Sequence, residues 1–453
     1  MKKFISICML LWICCFYVYA YEGISGSWHC KLQVTPQVAM SLVFKFDISA
    51  DSKPVFSIDS PDQGVYNIPG EVVYMASDSV CVQVKNLGMS FSGALKEGKL
   101  SGKFRQGIMS RDIVLLPGSV ERNRPQTPVP PFPYQTKEVA FANGDVVLAG
   151  TLTLPEAYDR KTPVVLMVTG SGLQNRDEEV FGHKPFAVIA DYLARHGIAT
   201  LRYDDRGYGA STGDPTNATT ADFAADAAAG IKYLRTVAKF KNIGVLGHSE
   251  GCTVAFMLAA GAKNSRPEFV VAMGAPSLRG DTILADQSVF ELRRGNFPDS
   301  IVEKYRYALL QMYDAYNKGG RDDALEKVNV IRKGWSESPV EQSLIANINL
   351  IATKLNPWME YFIKESPLPY ISRTKCPAFI LYGEKDMQVS PLLNEEPVRR
   401  AIPSARVKTY PGLNHIFQHA ATGAVQEYVE IEETISPEVL EDIVGFVSSL
   451  YHR

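Results

Sequence analysis

Ser249 is the residue around which chemistry would be organised. It lies in Gly247-His248-Ser249-Glu250-Gly251, after the apolar run Ile243, Val245 and Leu246 and before Thr253 to Met257, which suits a helix. A buried strand, a serine between glycines and a helix, in that order, put a hydroxyl on a strained turn above a sheet. Gly247 and Gly251 matter because a side chain at either would collide with the neighbouring strand or helix. The helix that follows aims its unpaired N–H groups and positive dipole end at the serine, which favours negative charge developing there. A serine so placed is a nucleophile for acyl transfer. The same pentapeptide also fits a tight strand-to-helix connection with no chemistry, so groups elsewhere in the chain must decide.

Such a serine needs a later acid and a later base, in the order Ser, Asp/Glu, His. Of the seven histidines, His29, His183, His196 and His248 precede Ser249. His452 lies beyond the last helix and His419 in the following segment. His415 closes the turn Pro411-Gly412-Leu413-Asn414-His415 after an expected strand, where catalytic groups gather in open α/β sheets. His415 is the expected base. Asp386, at the end of Phe379-Ile380-Leu381-Tyr382-Gly383-Glu384-Lys385-Asp386, is the carboxylate best placed to orient it. Glu384 in the same loop is the rival, with Asp281 and Asp286 further off. The oxyanion hole is expected to combine the N–H of Glu250 with that of Ser171, Gly172 being next. Gln174 and Arg176 lie nearby without an assigned role. The glycines of Asp204-Asp205-Arg206-Gly207-Tyr208-Gly209 lack the remaining spacing of a dinucleotide fingerprint. No C-x-x-C or His-Cys cluster points to a metal, and the expected chemistry requires no cofactor.

The elements that must position these groups are readable along the chain. At 453 residues, 46% apolar and 21% charged, the protein has material for two or three globular domains. A net charge of -2 and the lack of a basic cluster interleaved with aromatics exclude nucleic acid as an expected partner. Residues 1–20 read as a cleavable export signal. Lys2 and Lys3 precede the apolar Phe4 to Tyr17, and Val18-Tyr19-Ala20 suits cleavage after Ala20. The expected location is therefore periplasmic or extracellular. An uncleaved anchor is the alternative, although the run is short for a full span. Trp12 and Ile13 are poor neighbours for lipid attachment at Cys14 or Cys15. Cys30 and Cys81 read as separate buried thiols, with a disulfide between them as the alternative; Cys252 and Cys376 read as core.

Residues 21–120 carry short β-branched and aromatic runs between turn signals and predict a small antiparallel barrel or sandwich, an accessory domain. Residues 121–135 are a proline-rich, extended linker. From 136 to 453, strands alternate with helices, beginning with a hairpin around Asn143-Gly144-Asp145, which predicts a mostly parallel, doubly wound sheet. Within it, 276–370 reads as a helical insertion that roofs the site, its aromatics (Tyr305, Tyr313, Tyr316, Trp335, Trp358, Tyr361, Phe362) read individually as core.

Together these residues resemble the α/β-hydrolase superfamily and, more narrowly, bacterial serine esterases of the EstD type with a small β domain in front. The resemblance runs through Gly170-Ser171-Gly172-x-Gln174-x-Arg176-Asp177, Tyr203-Asp204-x-Arg206-Gly207-x-Gly209-x-Ser211 and Gly247-His248-Ser249-Glu250-Gly251. It continues in Asn356-Pro357-Trp358, Gly383-Glu384-x-Asp386-x-Gln388-Val389 and Leu413-Asn414-His415, and also covers Asp59-Ser60-Pro61-Asp62-Gln63-Gly64 and Arg124-Pro125-Gln126. It implies Ser249, Asp386 and His415 as the triad of an enzyme cleaving carboxylic esters, of short acyl chain, with a small-molecule substrate. One departure is visible: Thr169 stands where the usual histidine precedes the oxyanion glycine. A serine aminopeptidase or oligopeptidase, an acyltransferase and a non-catalytic binding protein on this scaffold are the alternatives.

Overall fold

The computed structural model of the protein describes residues 23–451 except 36, 37, 50 and 121. The expected export signal, Cys14, Cys15 and His452 lie outside the described residues. The chain divides into two compact units, Met1–Asn123 with Val180–Gly182, and Arg124–Glu179 with His183–Arg453.

The first unit is a closed antiparallel barrel rather than a sandwich. Its strands are β1 (Gly26–Thr35), β2 (Val38–Ile48), β3 (Pro54–Ser60), β4 (Val65–Met75), β5 (Ser79–Val84), β6 (Met89–Lys96), β7 (Lys99–Gln106) and β8 (Met109–Pro117). Trp28 pairs with Pro117 and His29 with Leu116 to join β1 to β8. Period-two alternation decides what faces inward. In β5, Val80, Val82 and Val84 are buried while the intervening residues are half-buried. Phe44, Phe46, Phe56, Phe91 and Phe104 fill the interior, with Phe44 edge-on to Phe91 at 5.2 Å between centroids. The lumen is thus a packed core. Cys30 and Cys81 are both free thiols. Burial pushes the Cys30 thiol up to about 11, which leaves it protonated and inert at neutral pH.

The second unit is built on an eight-stranded sheet in the order β16-β15-β14-β13-β11-β12-β10-β9. β9 (Gln135–Asn143) and β10 (Val146–Leu154) form the expected hairpin, with Gly144 at φ 59° in its turn. β11 (Pro163–Val168), β12 (Ala199–Tyr203), β13 (Asn242–His248), β14 (Phe269–Met273), β15 (Ala378–Gly383) and β16 (Arg406–Tyr410) run parallel to one another. Both faces are covered, so the central strands β11, β13, β14 and β15 are buried and largely apolar on both sides. In β11, Val164, Leu166 and Val168 enter one core with the helices Thr220–Thr236 and Glu250–Ala260. Val165 and Met167 enter the opposite core with Pro185–Arg195 and Pro437–Tyr451. The helix Pro391–Ala401 was not evident in the sequence because Pro397 sits inside it.

Between β14 and β15 stand the helices Gly280–Arg294, Asp299–Arg332, Pro339–Lys354, Pro357–Phe362 and Leu368–Arg373. The long one is broken at Gly320 (φ 82°, ψ -160°). Tyr305, Tyr313 and Tyr316 pack inside a separate core of this insertion, so they are scaffold. Ile371 belongs instead to the core of the sheet, where the chain rejoins it. The proline-rich linker is docked from Arg124 onward. The Arg124 guanidinium donates to the Ile431 carbonyl at 2.7 Å and the Val429 carbonyl at 2.9 Å, and the Gln126 amide donates to the Ile435 carbonyl at 2.7 Å. Among the described residues, no helix is long and apolar enough to cross a membrane.

Candidate active site

The C-terminal ends of β11, β13, β14, β15 and β16 supply every group in question. Ser249 follows β13 with φ 54° and ψ -119°, a conformation that non-glycine residues rarely hold. The strain is over-determined by its surroundings. Ser249 N–H donates to the Met273 carbonyl at 2.9 Å, and the Ser249 carbonyl accepts from Cys252 N–H at 2.9 Å. The flanking glycines are dictated by backbone contact. A Cβ on Gly247 would lie 2.1 Å from the Gly251 carbonyl oxygen, and one on Gly251 would lie 2.2 Å from that of Val168. Both contacts are with backbone, which cannot swing away.

Asp386 and His415 meet across 29 residues of sequence, His415 Nδ1 donating to Asp386 Oδ2 at 2.7 Å. Asp386 Oδ1 accepts from the N–H groups of Gln388 at 2.8 Å and Val389 at 2.7 Å, which fixes the carboxylate. With its Nδ1 proton held there, His415 keeps Nε2 as its basic nitrogen. Gly274, at φ 66°, leaves room for the pair: a Cβ there would stand 3.2 Å from His415 Cε1. The rival carboxylates are engaged elsewhere. Glu384 accepts from Gly412 N–H at 2.8 Å, Asp281 from Thr282 N–H at 2.7 Å, and Asp286 from Arg306 at 2.7 Å. His419 is exposed and bonds Glu433 at 2.9 Å.

The loop after β11 comes up against the serine, a Cβ on Gly170 falling 3.2 Å from Ser249 Cβ. Several of its amides are already used. Gly170 N–H donates to Glu178 at 2.8 Å, Gln174 N–H to Asp205 at 2.8 Å and Arg176 N–H to Asp204 at 2.8 Å. The N–H groups of Ser171 and Glu250 have no partner among the described residues. Arg176 turns out to be a clamp: its guanidinium bonds both oxygens of Asp204 and the Thr151 hydroxyl. These pairs hold its pKa above the ordinary arginine value, the Asp204 hydrogen bond contributing most. Thr169 occupies the departure noted in the sequence by donating its hydroxyl to Asp205 at 3.0 Å.

Three buried groups around the serine escaped the sequence reading. Glu250 also turns its carboxylate inward, where it accepts from the Thr220 hydroxyl at 2.6 Å and from Trp358 Nε1 at 2.9 Å and 3.1 Å. Burial pushes its carboxyl above the usual range, against the pull of hydrogen bonds from Thr220, Trp358 and Ser171. Trp358 thereby ties the insertion to the residue after the serine. His248 is buried between Glu178, 2.9 Å from Nδ1, and the His415 carbonyl, 3.0 Å from Nε2. Burial lowers its pKa, but the Glu178 carboxylate and the His415 carbonyl outweigh this and hold it above the ordinary histidine value. The third is Glu178 itself. Only the Asn356-Pro357-Trp358 sequence hinted at any of this, because the partners lie 30 to 167 residues apart.

Residues 163–421 match the family model described as the alpha/beta hydrolase fold. The chain belongs to the α/β-hydrolase family. Among characterised relatives it is 30% identical, over 193 residues, to Esterase EstD of Thermotoga maritima. That alignment covers 42% of this chain and 42% of the relative, so it spans less than half of either protein. Solved structures are more distant. An esterase of Pyrococcus furiosus aligns with 70% of this chain and 91% of its own, at 19% identity and a TM-score of 0.43. A proline iminopeptidase of Mycobacterium smegmatis aligns with 70% of this chain and 99% of its own, at 18% identity and a TM-score of 0.44.

Proposed function

We propose that this protein is a serine hydrolase that cleaves carboxylic esters of short acyl chain by way of an acyl-enzyme. The observation that carries this reading is the 2.7 Å His415–Asp386 hydrogen bond, assembled at the same sheet edge as the strained Ser249. In the proposed reaction His415 Nε2 takes the Ser249 proton as Oγ attacks the ester carbonyl. The Ser171 and Glu250 N–H groups hold the resulting oxyanion. As the tetrahedral intermediate collapses, His415 gives its proton to the leaving alcohol. Water, deprotonated by the same nitrogen, then attacks the acyl-enzyme and frees the acid and the serine. Asp386 stays ionised throughout and stabilises the imidazolium. We place this activity outside the cytoplasm, on the strength of the export signal at residues 1–20.

The test is a fluorophosphonate probe together with p-nitrophenyl esters of graded acyl length, applied to the protein and to Ser249→Ala. Loss of both labelling and turnover in Ser249→Ala, with turnover falling on the order of 10^6-fold, is the expected result. A preference for chains longer than about eight carbons would refute the short-acyl assignment. Strong labelling with weak ester turnover would favour the peptidase or acyltransferase alternative. A folded protein that takes no label would refute the catalytic reading.

A further inference from the structure

One buried carboxylate behind the site belongs to neither the triad nor the oxyanion hole. Glu178 is 4% exposed and holds a positive φ of 53°, unusual for a glutamate. A single oxygen, Oε1, makes two contacts: it accepts from Gly170 N–H at 2.8 Å and faces His248 Nδ1 at 2.9 Å. The other ring nitrogen of His248 donates to the His415 main-chain carbonyl at 3.0 Å. The two imidazoles lie close, their centroids 4.6 Å apart. Gly170 immediately precedes Ser171, and His248 immediately precedes Ser249. One carboxylate therefore joins the loop of the oxyanion donor, the elbow and the loop of the base.

We propose that Glu178 is a positioning residue that, through Gly170 and His248, keeps the Ser171 amide and His415 in register with Ser249 during acyl transfer. The inference rests on the serine-esterase reading. Its physical core is the sharing of one oxygen. The His415 carbonyl only accepts, so His248 Nε2 carries a proton. Nδ1 faces an oxygen that already accepts from Gly170, so a second proton lies between Nδ1 and Oε1, and a charged carboxylate–imidazolium pair satisfies both ring nitrogens and Oε1. A glutamine has no equivalent placement. With its oxygen toward Gly170 and His248, it leaves an imidazolium buried without a counter-charge. With its NH2 there, a donor meets the Gly170 N–H. Either way the Gly170 or His248 contact is lost, and the segment it holds is released from the serine.

The experiment compares the full-length protein with Glu178→Gln and His248→Asn. It measures p-nitrophenyl butyrate kinetics per serine titrated by the fluorophosphonate, and affinity for a trifluoromethyl ketone with the same acyl chain. Glu178→Gln is expected to lose about 10^2-fold in kcat, comparable to removal of one oxyanion donor. KM should change less than about threefold, and ketone affinity should fall in parallel with kcat/KM, because only the tetrahedral adduct uses the positioned amide. Glu178→Asp, which keeps the charge but not the reach, should fall in between. If Glu178→Gln does not fold, His248→Asn severs the same path one residue on and is read in the same way. Turnover per titrated serine and ketone affinity equal to those of the unaltered protein in either folded variant would overturn the proposal. An unaltered protein that takes neither fluorophosphonate nor ketone fails differently: it refutes the esterase reading, and this inference with it.

Discussion

The buried Asp205 makes a quantitative test of how the oxyanion loop is held. It stands at the end of β12, 7% exposed, with Oδ1 accepting from the Thr169 hydroxyl at 3.0 Å and Oδ2 from Gln174 N–H at 2.8 Å. Burial pushes its carboxyl up to about 7, and the neighbouring Glu178 and Glu250 carboxylates push the same way, against the two hydrogen bonds. In the unfolded chain the group titrates near 3.8. The folded state therefore binds this proton more tightly, and the stability it contributes is complete below that lower value. It is lost as pH rises through about 7. A separation of about three units corresponds to roughly 4 kcal/mol, an upper bound for a group with two hydrogen-bond donors in place.

Asp205→Asn copies the protonated form. Its oxygen accepts from Gln174 N–H, and its NH2 donates to the Thr169 hydroxyl, which serves equally as acceptor. The two proteins should be about equally stable near pH 4. The variant should become the more stable by between about 1 and 4 kcal/mol at pH 8, with ester turnover retained. Urea unfolding of both proteins at pH 4.5, 6 and 8 reads the difference directly, and carboxylates elsewhere cancel in the comparison. A gap that stays constant with pH, or a variant weaker than the unaltered protein at pH 8, would refute the assignment of a buried, proton-holding Asp205.

Three further expectations follow from contacts at the site. Asp386→Asn presents the wrong donor and acceptor to His415 and should lower kcat about 10^4-fold while the fold is kept, as checked by esterase assay beside circular dichroism. Gly251→Ala places a Cβ 2.2 Å from the Val168 carbonyl oxygen, so it should cost more than about 4 kcal/mol and yield no folded protein; a soluble, active variant would contradict this packing. Trp358→Phe removes the two indole contacts to the buried Glu250 and should cost about 1–3 kcal/mol in thermal or urea unfolding. It should also alter the acyl-length profile, because the insertion loses its tie to the elbow; an unchanged profile would dissociate the insertion from substrate selection.

Much of this protein is local, and local features are legible in a sequence. Continuous apolar runs such as Val164 to Val168 announce strands buried on both faces, and the glycine pair around Ser249 announces a turn that admits no side chain. Chain order removes the four histidines before Ser249, and position in a loop at a strand's end then favours His415 over His419 and His452, and Asp386 over Glu384, Asp281 and Asp286. Local pattern left the barrel-or-sandwich choice open, since closure depends on β1 meeting β8 across the whole segment. The helix Pro391–Ala401 stayed hidden because an internal proline contradicts its propensity and only packing against the sheet overrides that.

What tertiary structure alone decided is the company each buried charge keeps. Composition identifies Glu178, Asp205, Glu250 and His248 as polar residues and offers no reason to bury them. Folding brings Gly170 and His248 around one glutamate oxygen, with the His415 carbonyl on the far side of the His248 ring, and Thr220 and Trp358 around another. A buried charge is tolerable only where such donors converge, and convergence across as many as 167 residues leaves no periodicity or spacing in the chain. The sequence by itself determined most of the elements, the helix Pro391–Ala401 apart, and which residues stand at their ends; the fold decided which of those residues are held rigid, and by what.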